Sequence, residues 1–380
     1  MSFVDGDLMV CAIRWAGFAA AVVVCGLSMV AGCQKQRVTG PRTKVQPQVD
    51  VPATGVEPQE RSVLPTTGEP LILQAKEPNL AESSVRLALT FSPGQTLTYK
   101  ATSNSRKSIE WIGSESEKPA DFSDGYTGND VEMIFGQRVE TVRENGNAVL
   151  AITIQALKYR GVVANRSVFE FDSTDPNNRE EPLMAMIGKS YRLEMSPVGE
   201  VVELLDVESA RKAVKIGSPA YSVAMRILSD EMIRDQHEIP PLSALKGGQV
   251  HAGQNWSDLK SFSFSSMGDK SFERVYTLKQ GGQGVGETAV VQMKAIPSAA
   301  MAEQIHKRRP SGLIQGLFDN MDRYEGSLEL DLKGGRLLQY TEDMQTEWVV
   351  ADPAAMQDTA AQPRAIKMAA RRFQRIELVE

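Results

Sequence analysis

Residues that could do chemistry are sparse in this chain and stand apart. The three histidines, His237, His251 and His306, share no metal-binding spacing and no Glu-x-x-His neighbour. Each reads as a surface or loop residue. Ser209-Ala210-Arg211-Lys212 and Ser243-Ala244-Leu245-Lys246 both fit Ser-x-x-Lys, where lysine would activate serine for acyl transfer. The Ser-Asp-Asn and Lys-Thr-Gly segments that chemistry also needs do not occur, and Ser209 reads as the start of a short surface helix. Gly188-Lys189-Ser190 matches the end of a phosphate-binding loop, yet Leu183 stands where the leading glycine belongs. The segment also runs into a strand rather than a helix, so a glycine C-cap is expected. Asp121, Asp124, Asp130 and Glu132 miss the register of a calcium loop. The expectation is no catalytic residue, no metal and no cofactor.

The three cysteines, Cys11, Cys25 and Cys33, all lie near the N-terminus. Arg14 precedes an apolar run from Trp15 to Val24 that continues through Cys25-Gly26-Leu27. Charge, a short apolar stretch and then small residues make a secretory signal over residues 1–32, with Met9 as an alternative start. Val30-Ala31-Gly32-Cys33 closes it and resembles the lipobox of bacterial lipoproteins, with valine where leucine is commoner. That resemblance implies lipid attachment to the Cys33 sulfur and cleavage before Cys33. The membrane is then a partner through the acyl chains. Gln34 after the cysteine favours the periplasmic side of the outer membrane.

Residues 33–84 carry seven prolines after Gln34, few aromatics and no periodicity, so a disordered tether is expected. A coil of ~50 residues spans on the order of 40 Å.

From residue 85 to 380 the pattern is mainly β, with helical insertions (α+β). Val85, Leu87, Leu89 and Phe91 alternate with polar or small residues, and Leu97, Tyr99 and Ala101 resume after Ser92-Pro93-Gly94-Gln95. Asp130–Arg143 and Ala148–Tyr159 flank Asn145-Gly146, a hairpin signal. Ser196-Pro197-Val198-Gly199 marks another. Ala220, Val223, Ala224, Ile227 and Met232 fall on one helical face, which Ile239-Pro240-Pro241 should end. Phe272–Leu278 and Thr288–Ile296 flank a Gly281–Gly286 loop. Leu313, Ile314, Leu317, Phe318 and Met321 form a second helical stripe, and Leu313, Leu317 and Phe318 are candidates to line an apolar groove. Ala365–Val379 reads as a closing strand, with a helix as the other reading. Gly94-Gln95 is echoed by Gly253-Gln254, and Leu193-Glu194-Met195…Gly199 by Leu328-Glu329-Leu330…Gly334. Two curved antiparallel sheets are therefore expected, as pseudo-repeats 85–215 and 250–380 joined by a helical segment 216–249.

Pro93-Gly94-Gln95, Gly188-Lys189-Ser190, Ser196-Pro197-Val198-Gly199 with Val201-Val202 after it, and the Val250–Trp256 segment resemble an uncharacterised family of bacterial envelope lipoproteins, a domain of unknown function. The likeness spans about residues 85 to 380 and carries no functional residues. At fold level the expected sheet looks like the carrier fold of lipoprotein-sorting proteins, which by itself does not assign function.

The formal charge of -6 argues against a nucleic-acid partner. Lys307-Arg308-Arg309 and Arg371, Arg372 and Arg375 are local basic clusters that read as solvated faces. The functional expectation is a non-enzymatic envelope lipoprotein that binds an apolar ligand, such as a lipid, or an envelope protein. The alternatives are a scaffolding lipoprotein and an envelope enzyme.

Overall fold

Apolar–polar alternation builds strands along most of the chain, and their pairing is antiparallel throughout. The computed structural model describes residues 84–264, 269–280, 287–298, 322–351 and 364–379. The first half holds β1 (Val85–Arg86), β2 (Thr96–Ile112), β3 (Gly125–Val142), β4 (Ala148–Val163), β5 (Arg166–Asp172), β6 (Ser190–Met195) and β7 (Val201–Leu205). Four short helices follow: α1 (Val207–Arg211), α2 (Pro219–Ile227), α3 (Asp230–His237) and α4 (Pro240–Leu245). The second half holds β8 (Gln249–Val250), β9 (Asn255–Ser263), β10 (Asp269–Gln280), β11 (Thr288–Pro297), β12 (Arg323–Asp331), β13 (Arg336–Ala351) and β14 (Ala365–Leu378).

One 12-stranded sheet results, where two are expected from the sequence. Its order is β7-β6-β4-β3-β2-β14-β13-β12-β11-β10-β9, with β5 on the far end of β4, while β1 pairs with β8 apart from it. The reason is β14. Rather than closing an edge, it lies at the centre, paired with β13 from Ala365 to Glu377 and with β2 from Ala365 to Leu378.

The turns follow their sequence signals. Gly146 and Gly199 adopt φ of +84° and +72° in the two predicted hairpins. At Gly199 a Cβ would also meet the Ile239 Cβ at 2.8 Å, so backbone and neighbour both require glycine. Gly188, at φ +78°, leads from a short 3-10 turn into β6, as expected.

The helical stripe also forms, with Ala220, Val223, Ala224 and Ile227 buried, but it breaks at Ser229. The Ser229 hydroxyl accepts from Met232 N at 3.2 Å and so caps α3, a contact worth about 1 kcal/mol. Pro240 and Pro241 begin α4 instead of ending its predecessor, because proline suits the first helical turn. The helical material expected before the last hairpin of the second half lies outside the described residues.

Each half is an antiparallel meander, with β5 added only in the first, and β2 and β9 open alike. Gly94 N donates to Val139 O and Val139 N to Gln95 O, while Gly253 N donates to Leu278 O and Leu278 N to Gln254 O. In each turn the glutamine side chain also accepts from the backbone three residues earlier, Ser92 N at 3.4 Å and His251 N at 3.0 Å.

The second half is curled. Arg274 on β10 bonds Glu342 on β13 at 2.8 Å, although three flat strand spacings would separate them by ~14 Å. Arg372 on β14 lies 5.8 Å from the ring centre of Phe262 on β9, five strands away. Side chains from both halves fill a single core that includes Phe135, Leu150, Tyr191, Ile233, Tyr276 and Tyr340.

Candidate functional site

The densest chemistry lies where the sequence gives least warning, on the inward face of β10. Alternation through Phe272, Arg274, Tyr276 and Leu278 puts Arg274 inside, 4% exposed. Its Nε and Nη2 donate to the two Asp258 oxygens at 2.8 and 2.5 Å, and its Nη1 to Glu342 at 2.8 Å. Tyr276 donates to Asp258 at 3.1 Å, and Tyr324 to Glu342 at 2.8 Å. Tyr340 also donates to Glu342. Burial raises the pKa of all three phenols, and Arg274 only partly offsets it. Burial opposes the Arg274 charge, but the hydrogen bond to Asp258 and the charge of Glu342 outweigh it and hold the guanidinium protonated. Every member of this cluster bonds another, so it clamps β9, β10, β12 and β13 together.

Lys270 is a second inward cation. It donates to Asp322 at 2.6 Å, to Thr346 and to the Glu347 carbonyl at 3.3 Å. Its ammonium also sits 4.5 Å from the Trp348 ring centre. Burial lowers its pKa, and Asp322 counters that shift.

His237, expected at the surface, is a core residue at 3% exposure. It stands one turn after Ile233 on the buried side of α3, where its Nε2 meets the Tyr191 hydroxyl at 2.8 Å and its ring stands edge-on to Phe135 at 5.0 Å. Burial pushes its pKa down to about 3, so the imidazole is neutral. The other motifs give no catalytic pairing either. The Ser209 hydroxyl donates to Asp206 O and that of Ser243 to Pro240 O. Asp124 accepts from Trp111 N at 2.8 Å and from Lys118 at 2.6 Å. Arg371, Arg372 and Arg375 are not a basic patch, because Asp343, Asp235 and Glu377 pair with them one by one.

Two apolar features remain on the inner face. The first is a cleft between β2–β3 and α2–α3, walled by Ala101, Val131, Met133, Ile227 and Met232. Its cavity volume is only about 30 Å³. That is room for a water or two, not for a chain of methylenes.

The second feature runs along the far ends of the three central strands. Register sets Trp348, Met368 and Ile109 in one row and Val350, Ile366 and Trp111 in the next, all on one face. Two rows farther in, the same face carries Met344, and beyond it Tyr340, Ile376 and Ala101 of the core, so the band continues the inner face. Trp111 is fixed by its indole bond to Ser114 O at 3.2 Å and by Phe122 at 6.0 Å, and Trp348 by Phe264 at 5.0 Å. Val350 is 54% exposed at the open end.

Of the residues singled out from sequence, Cys33 with Val30, Ala31 and Gly32, and Leu313, Leu317 and Phe318, lie outside the described residues, as do His306 and Lys307-Arg308-Arg309. Among the described residues, no helix is long and apolar enough to cross a membrane.

No protein-family model and no curated protein matches the chain. Among solved structures it is similar to one titled "Lipid-protein interactions in lipovitellin", with a TM-score of 0.36 and 13% identity. That likeness covers 76% of this chain but only 25% of the other, so this chain spans about a quarter of that protein. A superposition that loose carries no argument about function.

Proposed function

We propose that this chain is an exported, lipid-anchored envelope protein that binds an apolar ligand on the inner face of its sheet and does no catalysis. The observation that carries this reading is the band of Ile109, Trp111, Trp348, Val350, Ile366 and Met368. Contiguous apolar side chains with an exposed end favour contact with another apolar body, at roughly 25 cal/mol per Å² removed from water. Such a surface suits acyl chains better than polar metabolites, with Thr346 and Lys107 in the next row inward and the Lys270 ammonium against Trp348 marking its polar limit. The internal bonding of the Arg274, Lys270 and His237 clusters supports a non-enzymatic role. The lipobox-like Val30-Ala31-Gly32-Cys33 supports the anchor. The shared antiparallel meander and matching Gly-Gln openings support an origin by duplication, with β14 recruited to bridge the halves.

Two of the chain's tryptophans, Trp111 and Trp348, flank the band and provide its test. Titration with a brominated long-chain fatty acid should quench tryptophan emission to saturation. Ile366→Glu should weaken that binding at least about tenfold, as burying a charge against acyl chain must. Quenching that stays linear and unsaturated, or that is indifferent to Ile366→Glu, would remove the apolar-ligand reading.

A further inference from the structure

Among the described residues, β9 is an unpaired sheet edge. It runs nine residues in unbroken register against β10 and contains no proline. Helix α4 packs near its start, where the Trp256 indole donates to Pro241 O at 2.8 Å. Beyond that point, among the described residues, no hydrogen bond reaches the backbone edge that faces away from β10. The opposite sheet edge differs, because Arg234 donates to the Val201 carbonyl on β7. Leu259, at the middle of β9, is 71% exposed. The side chains of Asp258 and Lys260 point inward yet keep 25% and 34% exposure, so solvent reaches the strand from the side. Long uncovered edges template pairing with another strand.

The sequence of this edge is complementary to itself about Leu259. We propose that β9 pairs antiparallel with β9 of a second copy of this chain, across a two-fold axis at Leu259. In that register Leu259 meets Leu259 of the second copy, and Ser257 meets Ser261 on the exposed face. On the inner face Asp258 stands opposite Lys260 of the second copy, and Trp256 opposite Phe262. Every contact off the axis occurs twice, and Leu259 meets its own copy on the axis, as a two-fold interface requires. Opposite charges and aromatic pairs directly across an antiparallel ladder each favour the pairing. Inward charges on an edge strand ordinarily deter association. Here they are already neutralised within one chain, Asp258 by Arg274 and Lys260 by Asp235. Across the axis they add an alternating row of charges, and the two sheets become one.

Cysteine cross-linking in cells producing the full chain tests both the contact and its register. Leu259→Cys should give a disulfide-linked dimer on a non-reducing gel, because directly opposed residues lie within disulfide reach. Ser261→Cys alone should not, since its two copies would be ~13 Å apart along the strands. Ser257→Cys co-expressed with Ser261→Cys should cross-link again. The parent chain, with its three cysteines, is the baseline. Leu259→Asp sets two carboxylates face to face at an exposed position. It should weaken dimerisation in sedimentation by at least about tenfold, while the melting curve of the folded chain stays in place. Cross-linking of Ser261→Cys equal to that of Leu259→Cys would overturn the proposal. So would a parent chain that remains monomeric across the concentration series.

Discussion

Lowering the pH from 7 to 5 should remove about 2 kcal/mol of stability through His237 alone. The imidazole is fully enclosed by Tyr191, Phe135 and the surrounding core, and burial holds its folded-state pKa down to about 3. In the unfolded chain it titrates near 6.5. Below that value the unfolded state takes up a proton that the folded state refuses, so this contribution is complete above pH 6.5 and fades as pH falls toward 3. The slope approaches ~1.4 kcal/mol per pH unit, which gives the figure of about 2 at pH 5 and about 5 over the whole window. Glu238 works in the opposite sense, because burial raises its carboxyl pKa and acid stabilises its folded form. The comparison must therefore be with a variant that retains Glu238. His237→Gln keeps an amide within reach of the Tyr191 hydroxyl and does not titrate. Urea unfolding of both proteins at pH 5, 6 and 7 is the assay. The parent should lose about 2 kcal/mol more than the variant between pH 7 and 5. Equal losses would refute the claim that His237 is buried and neutral.

Lys270→Met should destabilise the fold by about 3–5 kcal/mol in denaturant titration, because Asp322 is left buried without its cation. Adding Asp322→Leu should recover most of that loss, and a double variant no better than the single would contradict the pairing. Gly128→Ala should cost about 1–3 kcal/mol, since the new Cβ would run into the Ser105 carbonyl of the neighbouring strand. An unchanged unfolding midpoint there would mean that β2 and β3 are not held as closely as their register implies.

The strands were legible because they carry their own period. Leu97, Tyr99 and Ala101 alternate, Asn145-Gly146 turns, and β3 and β4 appear where the pattern puts them. The placement of β14 was not legible. Alternation from Ala365 onward declares a strand, but an edge strand and a central strand with one solvated face look alike in sequence. The buried cations were missed for a related reason. Arg274 and Lys270 occupy apolar-phase positions of β10, and that misplacement was the available signal. Asp258 stands directly across from Arg274 on β9, but Tyr324 and Glu342 come from β12 and β13, and only the curl brings those two to it. His237 was missed because α3 is short and charged overall, so its buried side rests on Ile233 and His237. The apolar band escaped notice because it is made across strands. Ile109 with Trp111, Trp348 with Val350, and Ile366 with Met368 are each an ordinary two-residue alternation.

Native mass spectrometry of the protein released from its membrane in mild detergent, followed by solvent extraction, shows whether the sheet carries an apolar ligand. A discrete additional mass that extracts as an acyl-chain lipid, and is lost from Ile366→Glu, is the expected result. A chain that carries nothing, and that still carries nothing after incubation with membrane lipid extract, would contradict it.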